Sequence, residues 1–137
     1  MIYSKCKRYY KYRLEETFEF QLRRYGIKDC FCKTPFIELT TGGRIIIKKG
    51  YAWDGASGPT LDTRSSMRAS LVHDALYQLI RLKLLPFSYK AIADKNFYNI
   101  CLQDGMWKWR AKLWYKVVAN FADYAAEPKK RKILIAP

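Results

Sequence analysis

The chain has 137 residues, 50% of them hydrophobic and 16% aromatic, with 26 Lys and Arg against 12 Asp and Glu for a net charge of +14. That length and apolar content suit one domain with its own core and exclude a disordered chain. The charge favours polyanionic partners without choosing among nucleic acid, anionic lipid headgroups and an acidic protein surface.

Residues 1–11 are polar and basic. They lack the apolar run of a secretory signal, so no signal-peptide export is expected. No apolar run reaches the ~18 residues that span a bilayer. Cys6, Cys30, Cys32 and Cys101 include one C-x-C pair but no C-x-x-C. With a single histidine in the chain, that pattern argues against a structural zinc site and for free thiols in a reducing compartment.

Residues 9–25 mix aromatic and charged side chains in partial alternation and read as a strand. Phe36-Ile37-Glu38-Leu39 and Arg44-Ile45-Ile46-Ile47-Lys48 flank Thr41-Gly42-Gly43, a hairpin signal. A turn at Lys49-Gly50 leads into residues 51–60, where two glycines and a proline predict a loop with special backbone geometry. Helix follows. Ser65 or Ser66 is the expected cap, and residues 67–82 carry Leu71, Ala75, Leu79 and Leu82 on one stripe. Pro86 breaks this pattern. Ser88 is the expected cap of a second helix over residues 89–103, which Gly105 ends. A third helix over residues 107–125 has Leu113, Trp114, Val117, Val118 and Phe121 on one side. The basic tail, residues 127–137, is expected to be mobile. The fold class is therefore α+β: an N-terminal antiparallel sheet, about residues 9–50, then about three helices over residues 65–125, all in one domain.

The only histidine stands on the first helix. His73 and Tyr77 are four apart and share a face, and Asp74 points one step round toward a neighbouring segment. Asp94, on the second helix, can hold one imidazole nitrogen and leave the other to take a proton from water, given two antiparallel helices joined by the short loop at residues 81–88. Asp54 and Asp74 can serve a hard cation, calcium or magnesium, beside a glycine loop that exposes carbonyl oxygens. Packing or capping also accounts for a histidine beside an aspartate, and a tight turn also accounts for the loop around Asp54.

His73-Asp74-x-x-Tyr77 followed by Ala93-Asp94-x-x-Phe97-Tyr98 resembles the catalytic helix pair of the small prokaryotic phospholipases A-two, over residues 53–104. The resemblance implies that His73 is the water-activating base and Asp94 its orienting partner, with Tyr77 buttressing the pair. It makes Asp74 a calcium ligand, with Asp54 and the adjoining backbone at Gly55 completing the site. Those phospholipases are secreted and disulfide-tied, whereas no cysteine adjoins His73 and the N-terminal sheet has no counterpart in them. The whole chain is more similar to a family of small uncharacterised proteins common in bacteriophage genomes. Its marks are G-Y-x-W-D-G-A-S-G-P-T at residues 50–60, A-S-L-V-H-D-x-L-Y at 69–77 and A-D-x-x-F at 93–97. That similarity implies phage or prophage origin and a place in the host cytoplasm or the virion, without an established activity.

Trp107, Lys108, Trp109, Arg110, Lys112, Trp114, Tyr115 and Lys116 crowd into ten residues. An interfacial membrane helix, a nucleic-acid face and an ordinary core helix with a basic outer side all have this composition. The leading expectation is a calcium-dependent, phospholipase-like hydrolase of ester-type bonds. The alternative is a non-catalytic phage protein, a virion component or host inhibitor, that binds a protein or nucleic-acid partner through its basic surface.

Overall fold

The computed structural model describes residues 1–6, 10–23, 30–55 and 63–126, the side chains of 121–126 excepted. Strands β1 (Tyr3–Lys5), β2 (Tyr12–Leu14), β3 (Phe18–Gln21), β4 (Cys32–Lys33), β5 (Ile37–Leu39), β6 (Arg44–Ile47) and β7 (Ala52–Trp53) come first. Helices α1 (Arg64–Arg81), α2 (Tyr89–Gln103) and α3 (Lys108–Ala126) follow, giving the expected α+β order. Among the described residues the strands make two antiparallel sheets, β1-β2-β7 and β3-β6-β5-β4.

Alternation drives the larger sheet. Ile45 and Ile47 of β6 pair with Leu39 and Ile37 of β5 on one side and with Phe20 and Phe18 of β3 on the other. Ile37, Leu39, Ile45 and Ile47 are all buried, so one apolar face is continuous across three strands. The β5–β6 hairpin lies where its sequence signal places it.

The smaller sheet departs from expectation. Residues 9–25 form two strands, β2 and β3, in different sheets. The break falls at Glu15, whose backbone N–H donates to Ile2 O at 2.8 Å and whose carboxylate accepts from Ser4 and Arg13. Strands also lie outside residues 9–50. β1 pairs with β2, and β7, in the stretch read as loop, pairs Tyr12 with Trp53 and Arg13 with Ala52. The β2–β7 pairing is long-range and β1 is only three residues long, so local composition conceals both. Gly50 makes the crossover between sheets. It holds φ +95°, its N–H donates to Leu14 O at 2.9 Å, and a Cβ there would come within 3.2 Å of the Phe36 ring. Only glycine adopts that φ without strain.

The helices start and stop close to their signals. Thr63, rather than Ser65 or Ser66, caps α1; its N–H donates to Ser66 Oγ at 3.1 Å, which leaves Ser66 the reciprocal position of a capping box. α1 ends before Pro86, through Lys83 at φ 61° and a bond from Leu84 N–H to Leu79 O at 2.9 Å. Ser88 occupies the cap position of α2 without a side-chain cap bond, because its own backbone is already helical. Gly105, at φ 91°, ends that helix as expected. Residues 56–60 of the loop and the tail at 127–137 lie outside the described residues.

The helices lie against the sheets through a few specific bonds. The buried Trp53 indole donates from Nε1 to Ser70 Oγ on α1 at 3.1 Å, and Tyr3 and Tyr12 pack around the indole. Asn96 of α2, almost fully buried, donates to Arg23 O at 2.8 Å and accepts from Arg23 N–H at 3.0 Å. Arg68 of α1 bonds both carboxylate oxygens of Asp104 at the far end of α2, at 2.9 and 3.1 Å, and its guanidinium covers the Phe20 ring. The pivot between the smaller sheet and α1 is thus Trp53. Trp53→Phe removes the indole N–H and part of the ring volume, and is expected to cost about 1–3 kcal/mol in urea unfolding; an unchanged midpoint would show that β7 does not anchor α1.

Candidate functional site

α1 and α2 pack as the antiparallel pair that the short connection demands, with α3 against both. The apolar residues Ala69, Leu76, Ile92, Ala93, Phe97 and Ile100 bury this seam. Inside it lies a polar cluster. His73 Nε2 is 2.7 Å from Asp94 Oδ1, and Tyr77 Oη donates to the same oxygen at 2.5 Å. Lys90 Nζ donates to Asp94 Oδ2 at 2.7 Å and to the Ala119 carbonyl of α3 at 3.1 Å. His73 is 4% exposed, Asp94 2% and Lys90 7%.

Elementary chemistry assigns the protons. Burial alone would raise the Asp94 carboxyl; His73, Lys90 and Tyr77 together hold it below the ordinary carboxylate value, so it is ionised and can only accept. His73 Nε2 therefore carries a proton and donates. That leaves Nδ1 as the acceptor nitrogen of the neutral ring. Nδ1 faces Asp74 Oδ1 at 3.9 Å, too far for a direct hydrogen bond. Tyr77 lies 4.0 Å from the imidazole, centroid to centroid, and Phe97 meets it edge-on at 5.4 Å, so the ring is fixed. Burial pushes the imidazole toward its neutral form, but Asp74 and Asp94 outweigh it and raise its proton affinity above the ordinary value.

Asp74 lies at the open side of the cluster, its side chain 26% exposed. Desolvation raises its carboxyl against the opposing pull of His73 and Arg81, and Asp54 raises it further. Tyr51, buried at the end of the turn before β7, sits in the field of Asp74, Arg81, Tyr10 and Asp54, and its hydroxyl stays protonated. Asp54 itself is exposed and accepts the Lys11 backbone N–H at 3.3 Å. Gly55 next to it holds φ 80°. Asp74 thus lies beside His73, and Asp54, Arg81 and Tyr51 share the electrostatic neighbourhood of Asp74. Among the described residues no three His, Cys, Asp or Glu side chains group as metal ligands, so any cation here would draw on backbone oxygen as well as Asp54 and Asp74. The two buried cysteines are poor nucleophiles: burial raises the Cys32 thiol and pushes Cys101 up to about 12.

A family model described as a protein of unknown function, DUF1353, matches residues 33–118. The chain belongs to the DUF1353 family. The loop motif at residues 50–60, the His73 motif and the Asp94 motif all lie within the matched segment. Comparison with curated proteins and with solved structures returned no match. In this DUF1353 chain the structure brings together His73, Asp94 and Tyr77 directly, sets Asp74 beside His73, and leaves Asp54 exposed, acting on Asp74 through its charge.

Sequence reasoning missed Lys90, Tyr51 and Arg81. Lys90 and Asp94 are four apart on α2, which is a legible pairing, but an i,i+4 pair ordinarily reads as a solvated surface ion pair. Only the packing of α3 reveals that this one is buried. Lys90→Met would strand the Asp94 charge in the core, and is expected to cost ~3–5 kcal/mol near neutral pH. The deficit should shrink toward about pH 4, where the uncompensated carboxylate takes up a proton. Urea unfolding at the two pH values measures it, and an equal deficit at both would mean that the lysine only fills space.

Proposed function

We propose that the chain is a hydrolase of ester-type bonds, with His73 as the base that activates water and a lipid ester as its natural substrate. The observation that carries this reading is the split of the imidazole: Nε2 lies 2.7 Å from ionised Asp94, while Nδ1 faces the partly open Asp74 and is an acceptor when the ring is neutral. A water at ordinary hydrogen-bond distance, ~2.8 Å, can touch Nδ1 and an oxygen 3.9 Å away at the same time. His73 Nδ1 takes one proton from that water as its oxygen bonds to the ester carbonyl carbon. The tetrahedral adduct then collapses, the carbon–alkoxy bond breaks, and the same proton passes from Nδ1 to the departing alcohol. Asp94, held by Tyr77 and Lys90, keeps the ring in the required tautomer and stabilises its transient positive charge.

The donor set at the edge fits calcium. Asp54 and Asp74 would be its hard carboxylate ligands, their like charges acting on one another, and the positive φ at Gly55 turns the backbone beside Asp54. Calcium, when bound, would polarise the ester carbonyl and stabilise the developing oxyanion. The motif order resembles the helix pair of prokaryotic phospholipases A-two, which supports the same roles. The loop motifs support phage or prophage origin, and with it a place in the host cytoplasm or virion.

The burial of His73 favours a second reading. A buried cluster centred on Asp94 also suits a non-catalytic phage protein, in which His73, Tyr77, Lys90 and Asp94 weld three helices together and the basic surface binds a virion or host partner. One assay separates the readings: hydrolysis of phospholipid and short-chain esters by the full chain with millimolar calcium. The hydrolase reading expects turnover that falls ~10²–10⁴-fold in His73→Gln. The rate should climb with pH through a value above the ordinary histidine pKa of ~6.5, because only the neutral ring accepts the proton. No turnover across the pH range, or an unaltered rate in the variant, would leave the binding reading. Calcium should also raise the melting temperature of the parent and much less that of Asp74→Asn; no response in the parent would remove the metal from the scheme.

A further inference from the structure

The outer side of α3 takes no part in the cluster. Helical periodicity turns Ala111, Trp114 and Val118 toward the core, where all three are buried, and turns Trp109, Leu113 and Lys116 the opposite way, so Leu113 does not share the side of Trp114 that the sequence suggests. Trp109 is 62% exposed and Leu113 53%, and Trp107, just before the helix, is 72% exposed. The indoles of Trp107 and Trp109 lie 6.2 Å apart and line a shallow hollow of about 320 Å³ with Gly105 and Arg110. So much apolar surface held in water marks a contact face.

The charges around it have one sign. Residues 105–120 carry Lys108, Arg110, Lys112 and Lys116 and no acidic residue. A second hollow, between α2 and α3, adds Lys95 beside Tyr98 and Tyr115. The adjoining carboxylate, Asp104 at the end of α2, is bound at both oxygens by Arg68. The partner therefore has to offer negative charge along the flanks and apolar volume at the centre.

We propose that this face of α3 docks on the surface of an anionic lipid bilayer. Lysines and arginine meet the headgroups, the two indoles sit at the depth where tryptophan is favoured, and Leu113 reaches the acyl boundary. A nucleic acid would use the cations for phosphates and the indoles for stacking, but it offers nothing to an aliphatic side chain in line with Trp109. Docking goes beyond the hydrolase reading and does not depend on it, since it uses none of His73, Asp74 or Asp94. If the site does cleave lipid esters, the same contact delivers the substrate.

The test uses the full chain with phosphatidylglycerol vesicles, phosphatidylcholine vesicles and single-stranded DNA. Cosedimentation should favour phosphatidylglycerol, with a blue-shifted tryptophan emission that is quenched by lipids brominated on their acyl chains. Raising salt from ~0.1 M to ~1 M should weaken binding without abolishing it, because screening removes the charge attraction but not the inserted rings. Replacing Trp107, Trp109 and Leu113 together by Ser should lower partitioning by more than about tenfold. Trp107→Ser alone, at the most exposed of the three, should lower it in the same direction and covers the case of a triple variant that does not fold. His73→Gln should bind vesicles like the parent even if all hydrolysis is lost, so failure of the hydrolase reading leaves docking standing. Absence of phosphatidylglycerol binding, stronger binding to DNA, unquenched emission on the vesicles, or undiminished binding by the tryptophan variants would each overturn the proposal.

Discussion

A single buried carboxylate organises the helical half of this protein. Asp94 takes donors from three directions: the imidazole of His73 and the hydroxyl of Tyr77 on α1, and the ammonium of Lys90 one turn back on α2. An ionised carboxylate removed from water without such partners is strongly unfavourable, so the four side chains stand or fall as a set. Through Lys90 and the Ala119 carbonyl the set also reaches α3, and the polar cluster thereby fixes all three helices relative to one another. Apolar contacts along the seam supply attraction; the hydrogen bonds supply the register, because they tolerate far less displacement than packed methyl groups do.

The sheets serve that cluster from one side. Trp53 anchors the smaller sheet to α1 through Ser70, one turn before His73, and the turn at Gly50 sets Tyr51 against the edge where Asp74 lies. The result is an asymmetric histidine. One nitrogen is sealed among helices and committed to Asp94. The other faces the partly exposed carboxylate of Asp74, the next residue on α1. That asymmetry arises because α2 supplies a partner for one nitrogen only.

Much of this was legible in the chain. Alternation at Ile37, Leu39, Ile45 and Ile47 marked the β5–β6 hairpin, and the stripe at Leu71, Ala75 and Leu79 marked α1. The spacing of His73, Tyr77 and Asp94 pointed to one cluster, since a short connection between two helices forces them antiparallel. β1 and β7 were not legible. Each is two or three residues long and exists only because β2 lies between them, and the Tyr12–Trp53 pairing joins residues far apart in the chain that no local window contains. The α1 cap was misplaced by two or three residues because Thr63, Ser65 and Ser66 all carry a capping hydroxyl, and which one caps depends on where the chain leaves the preceding segment.

The sequence by itself determined the class of the fold, the three helices and the identity of the histidine cluster, because periodicity, caps and side-chain spacing act over one or two turns. Tertiary structure decided what those residues are chemically. Lys90 is written as a helical lysine like any other, and the approach of α3 makes it the buried counter-ion of Asp94. His73 donates from Nε2 to Asp94 and has its proton affinity raised only when α2 comes within 2.7 Å of it. Charge state and tautomer follow from desolvation and from partners distant in sequence, and both are properties of the packed interior.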